Sequence, residues 1–254
     1  MRRDVLLLIW IVAFGILVGG VADGLAAEKV PAKNAQSAPA AKKTKPAGPS
    51  PAALFPAVKL RPATQDEIGK LRESAAAYDK KDYTGAVSIL TPLAEAGSAR
   101  AAFSLGLMAV RGHGMPMSTE VAEKWWIKSA KGGFPDAQYH LGFMYHQSLR
   151  GGRNPELIAH LWNLAAAQGQ GDAMYGLGFM YRAGDGVAKD PKKSLKMFTD
   201  AADLGHPGAA YEVGVLYKYG RGGVAKDVAK ARTYLKKAAD AGMARARQEL
   251  AGLQ

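Results

Sequence analysis

The chain repeats itself every 36 residues. Leu105-Gly106, Leu141-Gly142, Leu177-Gly178 and Val213-Gly214 keep that spacing, and Gly97, Gly133, Gly169 and Gly205 keep it in a second frame. Two frames that stay in step over four units exclude coincidence. A period in the thirties marks a helical repeat array, in which each unit buries its apolar side only against its neighbours. Such a chain is first a binding scaffold, and only secondarily a candidate enzyme.

The unit from Ala173 to Gly205 explains the period. Ala173, Leu177, Gly178 and Tyr181 fall on one side of a helix. Gly184-Asp185-Gly186 interrupts it, and Asp190 before Pro191 predicts the N-cap and first position of a second helix. Ser194, Met197, Phe198, Ala201 and Ala202 give that helix its apolar side, and Gly205 ends it. Trp126, Trp162, Phe198 and Leu235 share one slot on the second helices, with Ala130, Ala166, Ala202 and Ala239 four residues on. A large side chain beside a small one lets helices interlock. Gly106, Gly142, Gly178 and Gly214 do the same on the first helices, and a mid-helix glycine costs about 1 kcal/mol in propensity. Sharing that cost in four units predicts close backbone contact there.

The predicted units are 99–134, 135–170, 171–206 and 207–242, preceded by a degenerate unit at 64–98 and followed by a capping helix at 243–252. Thr64 with Glu67 predicts a capping box for a helix to about Tyr78, and Asp82 caps the next. The second unit lacks loop glycines, having Ser148-Leu149-Arg150-Gly151-Gly152, and the fourth has one extra residue near Gly220–Gly223.

Upstream lies different material. Arg2 and Arg3 precede the apolar run Val5–Val18, and small residues follow to Ala27. These are the parts of a secretory signal peptide, with an uncleaved anchor over residues 5–22 as the alternative. The expected location is therefore periplasmic or secreted, or anchored and facing the same compartment. Residues 28–62 predict a disordered linker, since the 33 residues from Glu28 to Leu60 hold nine Ala, six Pro and six Lys. With an anchor retained, it is a spacer of roughly 30 Å r.m.s. span. Membrane contact is expected only through that N-terminal segment or through Lys42, Lys43 and Lys45 of the linker.

The motif A-x-x-x-L-G-x-x-Y-x-x-G-x-G-V-x-x-D, read from Ala173 to Asp190, resembles the Sel1-like repeat, a variant of the tetratricopeptide repeat. Ala137-Leu141-Gly142-Tyr145, Ala209-Val213-Gly214-Tyr217 and Ala101-Leu105-Gly106 are similar, with Ala109 in place of the tyrosine in the last. The resemblance, of an exported bacterial type, covers about residues 82–250 of the predicted helical repeat domain at 63–254. It implies an all-α, right-handed superhelical solenoid of antiparallel helix pairs, and adaptor work in signalling, envelope processes or complex assembly. Some secreted relatives staple each unit with a cysteine pair; this chain has no cysteine.

Charge narrows the partners. Net charge is +12, but residues 61–254 hold 26 basic against 19 acidic residues and are only mildly basic. Neither a dense basic face nor a nucleic-acid motif is present, so no nucleic acid is expected. The lysines of the last two second helices (Lys189, Lys192, Lys193, Lys196, Lys226, Lys230, Lys236, Lys237) suit a solvated outer face. The chain lacks S-x-x-K, G-x-S-x-G, H-E-x-x-H and the phosphate-cradling glycine loop. His140 and His146 do not share a helix side, His113 and His206 fall in turns, and Asp185 lacks the acidic spacing of a calcium loop. No catalytic residue, metal ligand or cofactor is assigned.

One pattern points to binding. Three residues before and one after each helix glycine lie Phe103 and Leu107, Tyr139 and Phe143, Tyr175 and Phe179, and Tyr211 and Val215. They point away from the glycine side, and a helix apolar on two sides must pack on both. Packing against the preceding repeat is one destination. In the related repeats this side borders the concave groove, which is the other. His146, Arg182, Lys218, Tyr219 and Arg100 flank the stripe. The expected function is an exported adaptor that holds a protein or peptide partner in the cell envelope, its oligomeric state open. A structural organiser of an envelope or polysaccharide complex is the alternative. An enzyme acting on cell-wall or β-lactam-type substrates is the weaker one.

Overall fold

A computed structural model describes residues 49–147 and 154–253. Among them are twelve helices and no strand. A single turn, α1 (Pro51–Leu54), precedes the pair α2 (Gln65–Asp79) and α3 (Tyr83–Glu95). Four further pairs follow. They are α4 (Ala99–Arg111) with α5 (Thr119–Lys131), α6 (Pro135–His146) with α7 (Pro155–Ala166), α8 (Gly171–Ala183) with α9 (Pro191–Asp203), and α10 (Pro207–Tyr219) with α11 (Val228–Asp240). The last helix is α12 (Ala244–Ala251). From α2 to α12 each helix packs on the next in chain order, which is the connectivity of a solenoid, while α1 lies against α7.

Local chemistry sets the boundaries. Side chains of Ser98, Ser118, Asn154, Asp190 and Asp227 accept hydrogen bonds from backbone N–H groups in the first turns of α4, α5, α7, α9 and α11. The second helices end at Gly97, Gly133, Gly169, Gly205 and Gly242, all with φ between 81° and 95°. Only glycine takes that backbone conformation at little cost, so the turn into the next unit holds this frame of the repeat.

The other frame is steric. A Cβ on Gly106 or Gly178 would overlap the ring of Trp126 or Phe198. One on Gly142 would lie 2.5 Å from Nε1 of Trp162, and one on Gly214 would lie 2.6 Å from Cγ of Leu235. Gly106, Gly142, Gly178 and Gly214 thus admit the large residue of their own second helix, as the spacing predicts. Trp162 also reaches forward: a Cβ on Gly176 of the next unit would lie 2.5 Å from its Cζ3. Its Nε1 donates to the Tyr139 carbonyl at 3.2 Å, and Trp126 donates likewise to Phe103 at 3.3 Å.

Two expectations are corrected. Residues 51–62 are not linker. Phe55 is 4% exposed and lies in one apolar cluster with Phe134 and Leu161, joined by the half-buried Leu60. Four large apolar residues, Leu54, Phe55, Val58 and Leu60, fall within this short segment, and the Phe55 ring is well buried. The capping box at Thr64 is half made. Thr64 Oγ1 accepts from the Glu67 amide at 3.2 Å, but the Glu67 carboxylate accepts from Ser98 at 2.6 Å and pairs with Arg61 at 2.8 Å. The acid joins units instead of closing its own helix end.

Residues 1–48, with the expected signal segment and most of the linker, lie outside the described residues, as does the loop at 148–152. No helix among the described residues is long and apolar enough to cross a membrane.

The interlock makes opposite predictions for two helix glycines. Gly142→Ala should lower stability by about 1–3 kcal/mol through overpacking against Trp162. Gly69→Ala in α2, where nothing lies within 4 Å of the new Cβ, should raise it by about 0.5–1 kcal/mol. Thermal melts of the two variants beside the parent chain check both signs.

Candidate functional site

The stripe is carried by the first helices, α4, α6, α8 and α10, and its exposure changes along the array. On α4, Phe103 and Leu107 are 5% and 4% exposed. Phe103 packs on Phe134 and His140 at ring-centroid distances of 5.1 and 5.2 Å. These two residues are core, not groove. The reason is one change in the repeat: Phe134 stands where later units have Gln170, His206 and Met243, and its ring packs on Phe103 at the start of the stripe.

From α6 onward the stripe opens. Phe143 is 39% exposed, while Tyr139, Tyr175, Phe179, Tyr211 and Val215 are half-buried. Tyr139 lies 6.2 Å from Trp162, and His146 stacks on the same indole at 5.7 Å. Tyr175 and Phe179 meet edge-on at 4.9 Å, and both contact Phe198, at 5.8 and 5.0 Å. Tyr139, Tyr175 and Phe179 each set one side on the second-helix aromatic of their own unit and leave another edge accessible. Burial pushes the Tyr175 hydroxyl pKa up to about 12 and that of Tyr139 higher, so both stay neutral hydrogen-bonding groups.

Paired polar residues rim the stripe at both edges. At the C-terminal ends of the first helices, Arg182 lies over the Phe179 ring at 4.5 Å and pairs with Glu212 of the next unit at 2.8 Å. Lys218 repeats the arrangement with Glu249 at 2.8 Å, and Tyr219 donates to the same carboxylate at 3.1 Å. Sequence reading found Arg182, Lys218 and Tyr219 but missed Glu212 and Glu249. The signal was available: each acid follows its cation by 30 or 31 residues, one unit less a helical turn and a half.

At the N-terminal edge Asp172 and His206 pair at 3.3 Å, and the imidazole stacks on Tyr175 at 4.3 Å. Burial alone would raise the Asp172 pKa, but the hydrogen bond and charge of His206, with help from Gln170 and His140, bring it below the ordinary value. Burial raises the Asp136 pKa, opposed by His140. Arg100 donates to the Arg61 carbonyl at 3.1 Å, so it serves the N-terminal segment rather than the stripe.

The expected basic outer side carries several cation–carboxylate pairs. Lys193 and Lys196 approach Asp190 and Asp200, Lys230 and Lys236 approach Asp227 and Asp240, and Lys237 approaches Asp203. Exposed pairs of this kind are each worth about 0–1 kcal/mol and leave little net field. Among the described residues no group of three or more His, Asp or Glu is placed to hold a metal ion.

Four consecutive Sel1 repeats match the chain, at residues 99–134, 135–170, 171–206 and 207–243. The chain belongs to the Sel1 repeat family. A Sel1 repeat protein from Oxalobacter formigenes is 27% identical over 72% of each chain, with a TM-score of 0.66. The protective antigen c5321 of uropathogenic Escherichia coli is 24% identical with a TM-score of 0.46, over 67% of this chain and 44% of that one. The immunity protein Pa5087 from Pseudomonas aeruginosa is 24% identical with a TM-score of 0.48, over 70% and 67%. No curated protein is significantly similar to the chain. Sel1 repeat proteins are in general protein–protein interaction scaffolds, typically non-catalytic.

His140 generates a pH prediction. Its ring is enclosed by Phe103, Trp126 and Tyr139, and burial pushes its pKa below the ordinary value. The unfolded chain, titrating near pH ~6.5, then binds more protons than the folded one, so stability falls as pH drops through that range. Between pH 7.5 and 5.5 the parent chain should lose more melting temperature than His140→Gln does. Parallel losses would contradict it.

Proposed function

We propose that this Sel1 repeat protein is a non-catalytic adaptor that captures an extended or helical segment of a protein partner along the first helices of its later units. The observation that carries the reading is the open aromatic stripe from Tyr139 and Phe143 through Tyr175 and Phe179 to Tyr211 and Val215. Tyr139, Tyr175 and Phe179 are already held against the second helices, so little of their side-chain freedom is lost on binding. Apolar rings in the middle and ion-paired polar residues along both rims suit an amphipathic segment. His146, Arg182, Lys218 and Tyr219 then read the polar side of the partner.

The location belongs to the same proposal. Arg2, Arg3 and the apolar run Val5–Val18 support export, either by cleavage near Ala27 or by anchoring through residues 5–22, so the partner is sought in the cell envelope.

Phe143 tests the reading most cleanly, because it is the most exposed ring of the stripe. Phe143→Ala should leave the melting temperature within a degree or two, yet weaken partner binding by roughly 30-fold, the loss of an aromatic hot spot. Lys192→Ala on the outer side should do neither. The measurement is affinity capture from envelope extracts with the parent chain, read by mass spectrometry, followed by titration of the captured protein against each variant. Equal binding by the parent and Phe143→Ala would remove the stripe as the site.

A further inference from the structure

The second helices are not alike on their outer surface. Two residues before and after the large core residue, three of them carry polar pairs: Lys124 and Lys128 on α5, Lys196 and Asp200 on α9, Thr233 and Lys237 on α11. On α7 the same slots hold His160 and Leu164. The neighbouring slot on α5 is Ile127, where α7, α9 and α11 have Asn163, Thr199 and Lys236. Phe134 joins α5 to α6 in a slot that is polar or methionine in the later units. Departures from the repeat therefore gather at one junction, between the units at 99–134 and 135–170.

The segment Pro51–Arg61 lies there. Phe55, Leu60, Ile127, Phe134 and Leu164 belong to one apolar cluster. The His160 imidazole donates from Nε2 to the Phe55 carbonyl at 2.7 Å. The Val58–Leu60 backbone runs over Gly133, where a Cβ would overlap the Val58 carbonyl oxygen and lie 3.0 Å from the Leu60 nitrogen. Arg100 donates to the Arg61 carbonyl at 3.1 Å, and Arg61 pairs with Glu67. At the matching glycines Gly169, Gly205 and Gly242 nothing lies within 4 Å of the same position. The site is thus built into the repeats by side chains and by a bare glycine, and one segment, a helical turn running into an extended stretch, already fits it.

The hold of that peptide is small. Phe55 is its one fully buried large side chain, while Leu54 and Val58 are 36% and 43% exposed. The Leu54 and Phe55 amides bond back to Ser50 and Pro51 within the single turn α1 and not to the repeats. A segment held by one ring and a few carbonyl contacts opens at lower free energy than the repeats beneath it.

We propose that this junction is a second docking site, distinct from the aromatic stripe, for an extended peptide bearing a bulky apolar residue followed by proline. Pro51–Arg61, with Leu54-Phe55-Pro56, fills it within the same chain, and a partner segment of that chemistry displaces it. The ring enters the pocket framed by Ile127, Phe134 and Leu164, proline fixes its own φ and keeps the aromatic residue before it out of the helical region, and His160 reads the carbonyl of that aromatic residue.

The probe is a fluorescent peptide of residues 50–61, titrated by anisotropy against the full chain and against its Phe55→Ala variant. The variant should bind the peptide at least 30-fold more tightly than the parent, whose own segment competes. A peptide with Ala at position 55, or a chain carrying both Phe55→Ala and His160→Ala, should lose that binding, whereas Phe143→Ala added to Phe55→Ala should keep it. A folded Phe55→Ala chain that ignores the peptide overturns the proposal. Hydrogen exchange on the parent chain gives an independent reading: the Leu54 and Phe55 amides should exchange at least tenfold faster than those of α5 and α7. Equal protection would make the segment a permanent part of the fold and would equally overturn it.

Discussion

Everything in this molecule depends on the contact between a glycine on each first helix and a large side chain on the second. Trp126, Trp162, Phe198 and Leu235 occupy space that a single methyl group on Gly106, Gly142, Gly178 or Gly214 would fill. The contact brings two backbones close, and it fixes which way both helices face. Trp162 extends the principle across units, because its ring also fills the space above Gly176. Within-unit and between-unit packing are thereby set by one side chain. A chain of such contacts transmits geometry from neighbour to neighbour, as a quasi-one-dimensional fold requires.

The stripe follows from the same contact. Once the glycine side of a first helix is committed to its own second helix, the residues three before and one after it must emerge on another side. There Tyr139, Tyr175 and Phe179 rest against Trp162 and Phe198. The ring that locks the unit is the floor on which the stripe lies. Stability and recognition are therefore coupled at Tyr139 and Tyr175, and separable at Phe143, which leans on Tyr139 at 6.1 Å but is the most exposed of the set.

Much of this was legible in the sequence because the determinants are local and repeated. Asp190-Pro191 and Ser194 through Ala202 specify the second helix of one unit, and the terminal glycines specify its end. What escaped depends on partners far along the chain. Phe55 looked like one apolar residue in an alanine- and proline-rich linker, yet the imidazole that holds its carbonyl is 105 residues away. Phe103 and Leu107 fit the stripe in register, and only their burial, with the Phe134 ring packed on Phe103, shows that the stripe opens one unit later. Glu67 matched a capping motif but is drawn to Ser98 and Arg61, since a buried carboxylate takes charged and hydroxyl donors over a backbone amide that water can reach. In each case the local rule was sound and a tertiary contact outweighed it.

The central claim is that glycine and ring are one interacting pair, and a double-mutant cycle measures that pair directly. Unfolding free energies of the parent chain, Gly142→Ala, Trp162→Phe and the double variant give the coupling between the two positions. If the added methyl is destabilising because it meets the indole, the smaller ring makes room for it. The double variant should then be more stable than the sum of the single effects by about 1 kcal/mol or more, within the range of residues in contact. Additivity within ~0.3 kcal/mol would contradict the account, and the repeat glycines would need another explanation.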